Sequence, residues 1–253
     1  MNDRQLLTRS IAIAVLGIIA VPSLAASELN VLATPNMRPL LPALSAVCER
    51  AGGPKLSLNY AAPPEIKSRI EGGKNIDVVI TLKGQADALA KNGSLAGVTT
   101  VIRSPIVVAV RAGKPRPDVS SPSALREALL NASSIVHSNG GPSGVIAQRI
   151  VRALGIEEQV KPKLKLVPPG GQALPAAISS GEAELGIDQL TVLQNKPGIE
   201  VVGSLPKELS ADIVMSAGRT KSASNPAEAA GFLKCLKSPE AAPAIKAHGM
   251  IPE

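Results

Sequence analysis

Short apolar runs alternate along this chain with longer stretches in which apolar residues recur every three or four positions. Leu29, Val31 and Ala33 share one side of a short segment that ends at Pro35, and a helical pattern follows over 38–49, so a strand feeds a helix. The same grammar then repeats. Strands are expected at 55–60 and 76–81, the second nearly continuous in β-branched residues and therefore buried on both faces. Helices are expected at 64–71, closed by Gly72-Gly73, and at 84–91, stopped by Asn92-Gly93. Another apolar strand covers 106–110 before the extended turn at 113–117.

The second half reads likewise. Ser121-Pro122 is an N-cap followed by proline at the first helical position. Strands at 135–138, 164–167 and 184–189 alternate with helices at 143–154 and 172–180, the latter ended by Gly181. After strands at 199–203 and 213–217, Asn225-Pro226-Ala227-Glu228 is a capping box, and Ser238-Pro239 opens a last helix. Strands alternating with helices of about ten residues predict an α/β fold with mainly parallel sheets.

Composition narrows the function. With 253 residues, 45% of them hydrophobic, the chain can fill one large core or two ordinary ones. Two histidines and two distant cysteines do not by themselves supply a zinc cluster, so no metal and no cofactor is expected. Tyr60 and Phe232 are the only aromatic residues, which leaves almost nothing for sugars or bases to stack on. The formal charge of +7 is spread in ones and twos without a basic run of five. Nucleic acid is therefore not an expected partner, while a basic field favours a small anionic solute.

Residues 1–25 read as a signal peptide. Arg4 and Arg9 precede the apolar run Ile11 to Val21, Pro22 ends that run well short of a bilayer span, and Ser23-Leu24-Ala25 supplies small residues for cleavage. Export to the periplasm is expected.

Catalytic signatures are weak. His137 and His248 stand in ordinary contexts, G-x-S-x-G does not occur, and the one S-x-x-K match, Ser204 to Lys207, contains Pro206. The protein is not expected to be an enzyme; an exported enzyme and a scavenger or sensory module without a permease are the alternatives.

Eight segments, in order, resemble one family. They are 31–39 (VLATPNMRP), 59–61 (NYA), 70–73 (IEGG), 76–81 (IDVVIT), 141–144 (GPSG), 160–164 (VKPKL), 181–187 (GEAELGI) and 238–242 (SPEAA). Together they are similar to the molybdate-binding-like solute receptors of ABC importers. The resemblance implies a type II periplasmic binding protein: two α/β lobes joined by two crossover strands, with lobe one at 28–107 plus 213–253 and lobe two at 108–212. It further implies a monomer that closes on a small anion, an oxyanion or an organic carboxylate, and delivers it to a permease and its ATPase.

Ligands of open α/β sheets bind beyond the carboxyl ends of strands, where helix N-termini expose unpaired N–H groups. Four junctions fit, 34–38, 61–65, 139–144 and 168–172. With the resemblance they give the candidate ligand residues Thr34, Asn36, Met37, Arg38, Pro63, Thr81, Asn139, Ser143, Gly144, Gly171 and Gln189. Arg38 is singled out because a guanidinium pairs bidentately with carboxylates and oxyanions. Asn36 and Pro63 stand where the molybdate receptors have serine hydroxyls, and Gln189 where they have a tyrosine. Proline has neither hydroxyl nor N–H, so the molybdate contacts do not carry over. Asp188 would repel an anion; it orders a crossover strand or binds an amine. The resemblance also places the helices of Cys48 and Cys235 in one lobe, at positions that usually hold neighbouring aromatics. It thereby implies a disulfide, against the alternative of two separate buried thiols.

Overall fold

The computed structural model describes residues 28–169, 171–209 and 212–253, so the expected signal peptide lies outside the described residues. In chain order the first elements are β1 (Leu29–Ala33), α1 (Leu41–Arg50), β2 (Leu56–Tyr60), α2 (Pro63–Glu71), β3 (Val78–Leu82), α3 (Lys83–Lys91) and β4 (Leu95–Ser104). The chain then passes through Pro105 into β5 (Ile106–Arg111), α4 (Pro122–Asn131), β6 (Ile135–Ser138), α5 (Gly141–Ala153), α6 (Glu157–Val160), β7 (Leu164–Val167), α7 (Ala173–Ser180), β8 (Leu185–Gln189), α8 (Leu190–Leu193) and β9 (Ile199–Ser204). It returns as β10 (Ile213–Thr220), α9 (Pro226–Cys235), α10 (Ala242–Ala247) and β11 (Ile251–Pro252).

Two sheets result. One has the order β11-β4-β10-β3-β1-β2 and the other β7-β6-β8-β5-β9. The chain leaves the first between β4 and β5 and re-enters it between β9 and β10. That is the two-sheet, two-crossover α/β architecture the resemblance implies. The sheets are more mixed than expected. β1 pairs parallel with β2 and β3, and β6 with β7 and β8, whereas β10, β11 and β5 pair antiparallel with their neighbours. The antiparallel strands are those entering or leaving at the crossovers, together with the C-terminal strand, since a chain that swaps sheets must run back alongside what it left.

Local chemistry explains most boundaries. Ser121 caps α4 by accepting from the Ala124 N–H at 3.1 Å, Asn225 caps α9 from Glu228, and Gly181 ends α7 in the left-handed region. The helix expected from residue 38 begins at Leu41 instead, because Pro35 and Pro39 leave room only for a 3-10 turn, Pro35–Met37. Ser238-Pro239 forms a turn and the last helix starts at Ala242.

The core is continuous from lobe to lobe: Val78, Ile80, Ile102, Ile106, Val108, Leu185, Ile187, Ile213 and Phe232 belong to one buried cluster. Smaller clusters lie on the opposite faces, one around Leu32, Ile66 and Val79 and one around Val107, Val136 and Ile178. Cys48 and Cys235 are joined, with Cα atoms 5.9 Å apart, and tie α1 to α9 across 187 positions of sequence.

Candidate functional site

The carboxyl ends of β1, β2 and β3 converge. Thr34 N–H donates to Ile80 O at 3.1 Å and Ala61 N–H to Ala33 O at 3.0 Å, so the ladders continue into the loops and hold them side by side. Buried Thr34 donates its hydroxyl to Asn36 Oδ1 at 2.7 Å, and Asn36 Nδ2 points at Met215 Sδ, 3.7 Å away on β10. Thr81, fully buried, donates to Gln85 Oε1, and Gln85 Nε2 donates to Pro63 O, which links the second junction to the start of α3. On the same face as Thr81, Ser216 lies opposite it on β10, with its hydroxyl 3.5 Å from that of Thr100.

Arg38 is exposed, and its guanidinium lies over the Tyr60 ring, 4.2 Å from the centroid. The stacking fixes an otherwise mobile cation at the ends of β1 and β2. Desolvation pushes the Tyr60 hydroxyl above its ordinary pKa, with the Arg38 charge acting the other way. Arg38 makes no ion pair among the described residues.

In the second sheet the loops after β6 and β7 meet. Asn139 N–H donates to Val167 O at 2.6 Å, and a Cβ on Gly141 would lie 3.0 Å from Pro169. Gly140 and Gly141 both have positive φ, 90° and 67°, turning the chain sharply into α5, whose first turn has no side-chain cap. Gly144, a candidate ligand residue, has a packing task. A Cβ there would sit 2.2 Å from Ser138 O, so its absence is what lets α5 seat against the end of β6. Ser143 is buried, Asn139 and Gly171 are exposed, and Gly171 follows the β7 loop at φ 147°.

Asp188 accepts from Ser138 Oγ at 2.9 Å and from Gln189 N–H at 2.7 Å; it orders the end of β8. His137 is buried beneath α5, with Nδ1 2.9 Å from Ser138 O and Nε2 unpartnered. Gln189 is 8% accessible, and its Oε1 is buried without a partner.

Thr34, Asn36, Arg38, Pro63 and Thr81 therefore gather on one sheet, and Asn139, Ser143, Gly144, Gly171 and Gln189 on the other. Met37 stands apart, since its side chain is fully buried in the core. Sequence reasoning missed Tyr60 as the platform for Arg38 and Gln85 as the partner of Thr81; the Thr81-x-x-x-Gln85 spacing at a helix start was the available signal for the second. A surface groove of about 420 Å³ lined by Asn30, Asn59, Arg69, Lys74 and Asn75 lies beside α2 and the amino end of β3. Arg69 there is already paired with Glu65, at 2.6 Å, so the groove offers no comparable free guanidinium.

Comparison with known proteins agrees with this fold. A family profile described as bacterial extracellular solute-binding protein matches residues 29–251. Aconitate isomerase from Pseudomonas sp is 30% identical over 254 residues, covering 96% of each chain. The substrate-binding domain of a putative molybdenum ABC transporter from Clostridium difficile superposes with a TM-score of 0.79 at 19% identity, over 88% of this chain and 98% of that one. The periplasmic molybdate-binding protein of Azotobacter vinelandii gives a TM-score of 0.65 at 21% identity, over 88% and 98%.

Proposed function

The chain belongs to the bacterial extracellular solute-binding proteins, with a molybdate-binding-like two-lobed fold, and from that premise we propose that it is a periplasmic receptor for a small anion. It closes lobe one, 28–107 plus 213–253, on lobe two, 108–212, as a monomer, and hands the anion to the permease and ATPase of an ABC importer. The hinge lies at Pro105 and in the segment after Ser204.

The observation that carries the reading is Arg38: a cation stacked on Tyr60 at the carboxyl ends of the strands, without a carboxylate partner among the described residues. A guanidinium so held has lost most of its rotamer freedom before binding, so less entropy is lost when it pairs with an anion. Thr34, Asn36, Pro63 and Thr81 lie at the neighbouring strand ends of the same sheet. Lobe two contributes the uncapped start of α5, with Asn139, Ser143, Gly171 and Gln189.

The test is a thermal-shift screen of carboxylates and oxyanions on refolded, ligand-free protein, in which a ligand at 100 times its Kd adds about 2.7 kcal/mol. Calorimetry follows with Arg38→Ala, which is expected to weaken binding by about 1.5–3 kcal/mol, the range for a charged hydrogen bond. Equal affinity of variant and parent would remove Arg38 from the site, and tight binding of a neutral sugar or an amine would refute the anion reading.

One observation favours a second reading. The isomerase relative aligns over nearly the whole chain, so the same cleft would bind an unsaturated polycarboxylic acid and move a proton on it. Incubation with either isomer of aconitate, followed by proton NMR, decides: conversion at an enzymatic rate replaces the receptor reading, and an unchanged spectrum rejects the isomerase.

A further inference from the structure

Hydrogen-bond donors and acceptors are unevenly divided around the cleft. In lobe one the Asn36 amide is oriented by chemistry: its Nδ2 faces Met215 Sδ, and a thioether only accepts, so Oδ1 is the end that takes the Thr34 proton. Gln85 is oriented in the same way. Its Nε2 donates to the Pro63 carbonyl, which leaves Oε1 to take the Thr81 proton. Both threonine hydrogens are thus committed inside the protein, and what the two hydroxyls retain are oxygen lone pairs.

The backbone adds few donors there. Pro63 and Pro64 remove the first N–H groups of α2, and Pro35, Pro39 and Pro42 thin those around the Arg38 turn and the start of α1. In lobe two, α5 keeps the N–H groups of Gly141 and Ser143 in a first turn without a side-chain cap. Beside it lies an acceptor. His137 pairs with Ile187 in parallel register, which sets Gln189 level with Asn139 on the face that α5 covers, and Gln189 Oε1 is buried with no donor.

A fully deprotonated tetrahedral oxyanion carries only acceptors and needs donors on every side. At these strand ends Arg38, the Tyr60 hydroxyl, the Asn139 amide and the start of α5 can donate, whereas Thr34 and Thr81 present oxygens and Gln189 holds a buried oxygen without a donor. The complementary molecule has an anionic end and an O–H. We propose that the ligand is a small hydroxycarboxylate, its carboxylate held by Arg38 and the first turn of α5, its one hydroxyl hydrogen shared between Gln189 Oε1 and Thr34 Oγ1 in a three-centre bond. This rests on the anion-receptor reading and narrows it.

Calorimetry with acids that differ only by a hydroxyl tests it: malate against succinate, and citrate against tricarballylate, with molybdate and sulfate as oxyanion probes. At least one hydroxylated acid is expected to bind about tenfold tighter than its partner, the effect of giving a buried acceptor its donor. Gln189→Met is expected to shrink that ratio toward one, by weakening the hydroxylated acid more than its partner. Thr34→Val, checked for folding by thermal unfolding, is expected to act in the same direction. Equal affinities within both pairs, an unchanged ratio in both variants, or molybdate as the tightest ligand would overturn the proposal while leaving an anion receptor standing. Binding of none of these acids or oxyanions would overturn both readings.

Discussion

Removing the Cys48–Cys235 bridge is the sharpest test of how lobe one is held together. The bridge joins α1, which follows the first strand, to α9, which arrives only after the chain has built the whole second sheet and returned. Its two ends are 187 positions apart. For a loop of that length the chain-entropy expression gives about 5 kcal/mol of denatured-state destabilisation at 25 °C, and removal of native disulfides typically costs about 2–5 kcal/mol. In a chain of this size that corresponds to a melting temperature lower by roughly 5–20 °C. The perturbation is Cys48→Ala with Cys235→Ala, which avoids leaving a thiol or a buried hydroxyl; the assay is calorimetric melting of parent and double variant, both made by periplasmic expression. Mass spectrometry after alkylation under denaturing conditions verifies the bridge in the parent. Two alkylated thiols in that parent, or a double variant that melts with the oxidised protein, would refute the reasoning.

Further outcomes follow from single contacts. Gly144→Ala places a Cβ on the Ser138 carbonyl and is expected to lift α5, costing about 1–3 kcal/mol of stability and weakening ligand binding, read by melting and calorimetry. Asp77 is buried and accepts from the N–H groups of Asn30 and Ser224 at 2.8 and 2.7 Å, so Asp77→Ala, which orphans both, is expected to cost about 2–4 kcal/mol in urea unfolding. Glu184 is held below the ordinary carboxylate range by hydrogen bonds from the Ser133 hydroxyl and N–H. Because its folded-state pKa is depressed, its contribution is present above the unfolded value and is lost as pH falls through the folded one. Melting profiles of Glu184→Gln should therefore lose part of the parent's decline between the ordinary carboxylate pKa and more acidic pH.

A strand buried on both faces was among the most legible, because runs of Val and Ile have few other uses: β6 occupies the residues that periodicity predicts, as does the half-exposed edge strand β7. β4 was not. Leu95–Ser104 carries Gly97, Thr99, Thr100 and Arg103, and it alternates poorly because the pairing with β10 shifts register twice. Its strand character comes from lying between β10 and β11, a tertiary cause that leaves little periodic trace. The junction loops were legible as places, since proline and glycine mark them, but the roles inside them were not. Gly144 reads like a residue that makes room for a ligand, and the space it makes is occupied by the Ser138 carbonyl. Met37 reads like part of the Arg38 turn, and its side chain points into the core.

Likeness of fold does not by itself carry identity of ligand, for a physical reason. The two-lobed scaffold is specified by many buried residues, so a TM-score of 0.79 survives at 19% identity. Recognition depends on a few polar atoms whose roles as donor or acceptor are set by third parties. Asn36 and Pro63 illustrate this. Where a serine would offer a rotatable hydroxyl, Asn36 is turned by Met215 and takes the Thr34 proton, and Pro63 presents a carbonyl that turns Gln85 and so fixes the direction of Thr81. Each replacement changes the available hydrogens as well as the shape, and on the proposed reading the oxygens that Thr34 and Thr81 turn outward favour a ligand that brings a hydrogen of its own. On the hydroxycarboxylate proposal, the fold is shared with the structural neighbours while the choice of ligand is set by these few polar atoms.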